Sequence, residues 1–364
     1  MNSKKEKLVS KLRQVEKMAS SRQSNRRKQQ SNHNERSDSG NKGISSSFIQ
    51  LFAVIFFALS ILAFATGPLI LMFYALDYPW LRFVFFVYGF WMLYDIESPD
   101  RGGWHTKRFK QWLKRWPIWD WFRFYFPADL ITTTKIDTTR NYIMAFHPHG
   151  VYCLSLFANV LFNPHFEQST GLDIHVSTLP MNFYWPVWRE FILAMGLVSC
   201  DKKAIKRALD TNTKGSCMAI AVGGGEEFKY MKKGTMDLVL SKRKGFAKLA
   251  LQTGSSLLPV IGFGENELFE RITHPVFEPV HKLLYTVLRM AAPLFVGRFF
   301  LPIPRRVPLI ALVGKPIIVE QILHPSQADI DKLHAEYIKQ LKQLYDEYKD
   351  VYHKDRIRDM RIVA

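Results

Sequence analysis

Cysteine is scarce in this chain of 364 residues: only Cys153, Cys200 and Cys217 occur. Their spacing fits neither a zinc site nor a disulfide framework, which sets aside the small stapled domains of secreted proteins. No Asn-x-Ser/Thr sequon is present either, and both absences suit a catalytic region facing the reducing cytosol. The N-terminus lacks a charged stub followed by an apolar core, so no cleaved secretory signal is expected. There is no G-x-S-x-G elbow and no Cys-His pairing, which argues against a covalent acyl-enzyme. The glycine-rich stretch has neither a Walker loop's Gly-Lys-Ser/Thr nor a G-x-G-x-x-G fingerprint. Acidic residues are outnumbered: 32 Asp+Glu stand against 50 Lys+Arg, a formal charge of +18.

Apolar and aromatic residues are plentiful. Hydrophobic residues make up 48% of the chain, with 28 Phe and 9 Trp, enough for a large core. The positive charge allows nucleic acid, an anionic membrane surface or a polyanionic substrate as partner. Long apolar segments favour the membrane and are compatible with a phosphate-rich co-substrate such as coenzyme A.

Residues 1–46 form a polar basic stretch, with 12 Lys+Arg against 4 Asp+Glu in its first 44 positions, and are expected to be disordered. No folded recognition module follows, so nucleic acid is not an expected partner. Phe48 to Leu76 then runs without a charge, longer than the roughly 20 residues a bilayer core needs. Gly67-Pro68 is expected to break this run, and Asp77-Tyr78-Pro79 ends it. A second apolar stretch, Leu81 to Tyr94, carries only Arg82. The pattern predicts a membrane hairpin over 47–96, as two spans or re-entrant. Basic flanks on both sides place both in the cytosol. Residues 97–126 interleave Trp104, Trp112, Trp116, Trp119 and Trp121 with Lys and Arg, the composition of an interfacial segment.

From 127 to 364 short apolar runs alternate with helical patterns, predicting an α/β catalytic domain. Strands are expected at Tyr142–Phe146, Cys217–Val222, Ser256–Phe263 and Leu309–Val313. Helices are expected at 151–162, 186–196, 202–212, 245–253 and 327–352. The first of these strands ends in His147-Pro148-His149-Gly150. Proline pushes the residue before it into extended backbone, and glycine permits a sharp turn. The tetrapeptide therefore presents histidine at a rigid corner, where an imidazole suits general-base work near neutral pH. A structural turn and an H-x-H metal pair are the other readings. Gly223, Gly224 and Gly225 follow the second strand and lead to Glu227. Their N–H groups suit an oxyanion or a phosphate, and Glu227 could orient an imidazole. The alternative is a tight turn with a surface glutamate. Arg243-Lys244-Gly245 opens a helix after a basic run, which makes either an anion site or a solvated helix start.

Taken in order, these motifs resemble the type-2 diacylglycerol acyltransferase family, which includes monoacylglycerol and wax-alcohol acyltransferases. The resemblance covers roughly residues 48 to 320. It rests on Tyr125-Phe126-Pro127, the His147–Gly150 tetrapeptide, Met181-Asn182-Phe183 and Arg189-Glu190. It continues through Gly223-Gly224 with Glu227, Arg243-Lys244-Gly245-Phe246, Leu258-Pro259-Val260, Phe263-Gly264 and Val313-Gly314-Lys315-Pro316. It implies a glycerolipid-acyltransferase-like α/β domain behind a membrane hairpin. It also implies an endoplasmic-reticulum enzyme, associated with lipid droplets, that moves a fatty acyl group from acyl-CoA to a neutral-lipid acceptor. Acyl-CoA is then a co-substrate, with no bound cofactor and no metal; self-association is left open. The resemblance assigns His149 as base beside His147, with Glu227 in support. Gly150, Gly223, Gly224, Arg243, Lys244, Gly245, Phe126 and Pro127 would contact substrate. Wider glycerolipid acyltransferases use His-x4-Asp, but the corresponding positions here are Tyr152 or Leu154, so Glu227 is the candidate partner. Diacylglycerol is the favoured acceptor. Monoacylglycerol, a long-chain alcohol, or a non-catalytic lipid-droplet role are the alternatives.

Overall fold

The computed structural model describes residues 43–273 and 294–364, with three isolated positions between them. Most of the expected basic tail lies outside the described residues. Eleven strands occur among the described residues: β1 (Asp129–Thr132), β2 (Tyr142–His147), β3 (Asp173–Thr178), β4 (Leu197–Ser199), β5 (Ser216–Ala221), β6 (Asp237–Leu238), β7 (Ser256–Phe263), β8 (Glu270–Arg271), β9 (Phe295–Val296), β10 (Ile310–Val313) and β11 (Arg361–Ile362). Seven of them form one sheet in the order β1-β10-β7-β2-β5-β3-β4. The run from β7 to β4 is parallel, and β10 pairs with β7 antiparallel. This is a mixed α/β fold with a central sheet.

The central strands are buried on both faces, as their unbroken apolar runs require. Every residue of β2 and of β7 is buried. Alternate side chains of β2 enter different cores. Tyr142, Met144 and Phe146 join the helices Pro117–Tyr125 and Trp188–Ala194. Ile143 and Ala145 join the helices Gly245–Thr253 and Gln327–Tyr352. By the two-residue period of a strand, His147 shares the second face. The helix Gln327–Tyr352 starts at a capping box of Ser326 and Asp329, and it buries a stripe from Ile330 through His334, Tyr337 and Leu341 to Tyr348.

The apolar run is one helix, Gly43–Tyr74, with Pro68 inside it. The expected break at Gly67-Pro68 is therefore not present. A proline costs one intrahelical bond but need not end a helix whose freed groups find other partners. The missing bond is the one to the Phe64 carbonyl, a single interruption in a helix of 32 residues. Of the described helices, this one alone is long and apolar enough to cross a membrane, over Ser47–Tyr74. The second limb, Pro79–Tyr94, has 16 residues, about 24 Å of helix against roughly 30 Å of hydrocarbon.

From Gln50 the long helix lies against the α/β fold. Ala53, Val54 and Phe57 are buried, Phe57 packs edge-on to Phe122 at 5.0 Å, and Phe64 stacks on Phe191 at 5.3 Å. Leu69 to Tyr74 and most of the second limb are exposed apolar surface. The five tryptophans of the following segment divide. Trp119 is buried and stacks on Phe162 at 4.2 Å; Trp104, Trp112, Trp116 and Trp121 are exposed.

Candidate active site

The carboxyl ends of β2, β5 and β7 lie side by side, since Phe146 pairs with Ala221 and His147 with Ile261. In open α/β sheets this edge is where ligands bind. Each of the three strands delivers one part of the site: the histidine corner from β2, Glu227 from the turn after β5, and Glu265 just beyond β7.

His147 has no exposed surface. Its Nε2 lies 2.9 Å from the Tyr337 hydroxyl, which also donates to the Ala145 carbonyl at 3.2 Å. With the hydroxyl proton on Ala145, His147 donates from Nε2. Its Nδ1 then faces Glu227 Oε1 at 3.9 Å, buried and without a hydrogen-bond partner. A substrate has no route to either nitrogen.

His149 follows the cis His147-Pro148 bond and is only partly buried. Its Nδ1 sits 3.2 Å from the Gly150 carbonyl. An N–H there satisfies that carbonyl and leaves Nε2 as the basic nitrogen. Of the two imidazoles, this is the one that can meet a substrate.

Glu227 is 2% exposed, and it grips the corner through the backbone. One carboxylate oxygen accepts from His149 N–H at 2.6 Å and the other from Val239 N–H at 3.1 Å. It thus fixes where the His149 main chain runs, and its charge faces the His147 ring. Gly223 exists to admit it, because a Cβ there would stand 2.0 Å from the Glu227 carboxyl carbon. By contrast, a Cβ on Gly224 or Gly225 would meet nothing within 4 Å, so the glycine turn has open space beyond its first residue.

Glu265 fills the other side. Its carboxylate accepts from Leu154 N–H at 3.0 Å and Ser155 N–H at 2.6 Å. A Cβ on Gly150, where φ is +59°, would lie 2.5 Å from Glu265 Oε1. Burial pushes this carboxyl up to about 8, although the two N–H donors pull the other way. The folded state therefore holds a proton that the unfolded chain has released. Stability is full in acid and falls as pH rises from the ordinary carboxyl range through about 8, by up to about 1.4 kcal/mol per pH unit. Denaturant titrations across that window should show the slope, and Glu265→Gln should flatten it. An unchanged slope in the variant would assign it to another group.

The remaining sequence candidates fall in three places. Arg243 lies beside the glycine turn, paired with Glu226 at 2.8 Å, and both are half-exposed. Lys244 pairs instead with Asp331 of the C-terminal helix at 2.7 Å. Gly245 opens the helix Gly245–Thr253, and a Cβ there meets nothing within 4 Å. Phe126 is fully buried; its carbonyl accepts from Leu309 N–H at 2.9 Å. Phe126 and Pro127 thus support the same sheet edge at the start of β10, and Phe126 itself has no open face. Among the described residues no three His, Cys, Asp or Glu side chains converge as a metal site.

Two groups escaped the sequence reading. Tyr337 sits in the buried stripe of a helix that reads as charged and amphipathic, but a buried tyrosine hydroxyl needs a partner. Glu265 directly follows an eight-residue buried strand and a glycine, where a carboxylate should end buried. Tyr337→Phe keeps the ring and removes the hydroxyl. It should destabilise by about 1–3 kcal/mol, the cost of an unpaired buried group, and lower kcat more than it changes KM. A variant with native kcat would make Tyr337 a core residue only.

Against this geometry, the sequence model of the diacylglycerol acyltransferase family matches residues 73–362. The chain belongs to that family. Bovine 2-acylglycerol O-acyltransferase 1 is 35% identical over 84% of this chain and 92% of its own. Diacylglycerol O-acyltransferase 2A of Umbelopsis ramanniana is 37% identical over 78% and 82%. Diacylglycerol O-acyltransferase 2 of Xenopus tropicalis is 36% identical over 72% and 75%. The matched stretch includes both site histidines, His147 and His149, both site carboxylates, Glu227 and Glu265, and Tyr337 as well.

Proposed function

We propose that this chain transfers a fatty acyl group from acyl-CoA to diacylglycerol, giving triacylglycerol. The observation that carries the reading is an accessible imidazole, that of His149, whose main chain is clamped by a buried glutamate at the carboxyl edge of the sheet, in a member of this family. His149 Nε2 takes the acceptor hydroxyl proton as that oxygen attacks the thioester carbonyl. The C–S bond then breaks, and the same proton passes to the departing CoA thiolate. Glu227 sets the position of His149, and His147 with Tyr337 sets the corner beneath it. The open glycine turn at Gly224 leaves room for the donor. Arg243, Lys244 and the helix opening at Gly245 would attract the CoA phosphates by exchanging their carboxylate partners, exposed pairs of small net strength.

The domain from 127 to 364 would work at the surface of the endoplasmic reticulum and of lipid droplets. The hairpin of residues 47–96 is re-entrant in this reading. One face of its first limb is packed on the α/β domain through Ala53, Val54, Phe57 and Phe64, while Phe52, Phe56, Leu59 and Leu62 on the other face, its far end and the short second limb are free for lipid. The exposed tryptophans between 97 and 126 would lie at headgroup level. Both flanks then face the cytosol, and glycosylation acceptor sites engineered near residues 40 and 102 should both stay unmodified.

Membranes containing the protein should convert labelled acyl-CoA and diacylglycerol to triacylglycerol. Monoacylglycerol and a long-chain alcohol belong in the same assay, because the bovine relative is named for 2-acylglycerol. No product from any of the three acceptors, with protein present and folded, would sink the proposal.

A further inference from the structure

A cavity of about 650 Å³ opens along the second limb of the hairpin. Phe86, Gly89 and Phe90 form its membrane-side wall, and Phe183, Tyr184 and Arg189 its opposite wall. Its size is that of a small-molecule site. The domain side comes from the 3-10 turn Pro180–Tyr184 after β3 and from Ser199 at the end of β4. These are the motifs Met181-Asn182-Phe183 and Arg189-Glu190, for which the catalytic corner has no use.

The cavity is held open by polar links. Arg189 is buried and donates to Asp95 and Glu190, both at 2.6 Å. Tyr88 of the second limb donates to Glu190 at 3.2 Å and accepts from Val187 N–H. Val187 has φ +66°, a conformation that a β-branched residue adopts only under constraint. The loop is thus fixed to the membrane helix at some cost in backbone strain.

Charge narrows the occupant. The cation in the lining, Arg189, is matched by Asp95 and Glu190, and Asp100 and Asp201 add acid. A phosphate is unwelcome there, so a phospholipid headgroup and the CoA moiety are poor fits. A neutral glycerolipid, apolar at one end and carrying hydroxyl and ester oxygens at the other, fits both walls. Position agrees: β3 stands two strands from β2, about 10 Å at the usual strand spacing, a span that a fatty chain covers.

We infer that this cavity takes an acyl chain of the neutral acylglycerol acceptor, admitted sideways from the bilayer past Gly89 and laid along the strand ends toward His149. The inference rests on the acyltransfer reading and names the acceptor's place in it.

Gly89 supplies the test. A Cβ there meets nothing within 4 Å, and leucine is a better helix former than glycine, so Gly89→Leu fills the cavity without threatening the helix. In the full-length protein in membranes, Gly89→Leu should raise the apparent KM for dioleoylglycerol about tenfold or more. The KM for acyl-CoA should hold. A second measurement does not need turnover: a diacylglycerol bearing a photoreactive group in its chain should label the peptide containing Phe183 and Tyr184, and Gly89→Leu should abolish the label. An unlabelled peptide, an unchanged acceptor KM in an active Gly89→Leu enzyme, or a raised KM for acyl-CoA instead would each overturn the inference. Labelling without any turnover would keep the site and sink the acyltransfer reading.

Discussion

His149→Ala should cut kcat by about 10²–10⁴-fold, the range for loss of a general base, and leave the protein folded. The side chain is only partly buried, and Glu227 holds its main chain rather than its ring. Alanine keeps that N–H, so the corner survives and the proton acceptor is lost. The measurement is turnover at saturating substrates beside a melting curve. His147→Ala should behave differently. It removes a fully buried ring and leaves the Tyr337 hydroxyl with the Ala145 carbonyl as its one remaining partner here, so both stability and activity should fall. If His149→Ala retained turnover and His147→Ala alone lost it, the base would have been assigned to the wrong imidazole.

Glu227→Ala should be the most damaging single change to the fold at this site. It orphans the buried N–H groups of His149 and Val239. At about 1–3 kcal/mol for each unpaired group, the loss is roughly 2–6 kcal/mol, and the corner that carries His149 loses its anchor. Glu227→Gln keeps one acceptor oxygen and should lower activity less than His149→Ala. Gly223→Ala gives an independent check: it carries no chemistry, but its Cβ would collide with the Glu227 carboxyl group. It should therefore reproduce the Glu227→Ala phenotype in both melting and turnover. Native behaviour of Gly223→Ala would mean that Glu227 can be moved without consequence, and the anchoring role would fail.

The parts of the molecule that announce themselves in sequence are those governed by one dominant force. β2 and β7 are unbroken apolar runs because both faces are covered, and β7 has the bounds the residues suggest. The helices Gly245–Thr253 and Gln327–Tyr352 likewise begin and end where expected. β3 is hidden, since Asp173, His175 and Ser177 alternate with buried Ile174 and Val176 toward the sheet's edge. The three residues of β4 give no period to read. Pro68 misleads because it removes one bond from a 32-residue helix, and the remaining ladder carries the helix through it. At the site, the histidine corner and Glu227 are visible as motifs. Their division of labour is not legible in the residues themselves: only the resemblance favours His149 as base, and it is burial that separates the supporting ring from the accessible one. Gly150 and Gly223 read as ligand contacts; sequence alone does not show that both also make room for carboxylates that arrive from other strands.

The bond between His147 and Tyr337 joins positions 190 residues apart in the chain. Such a contact forms late, since a long loop must close before it brings any return. During synthesis from the N-terminus the histidine corner emerges well before the helix Gln327–Tyr352. Until that helix docks, His147 lacks its hydroxyl partner and the face beneath β2 is uncovered. The order of the histidine corner thus depends on a contact that no nearby segment of the chain can supply, and trimming the chain within Gln327–Tyr352 would loosen a site 190 residues away.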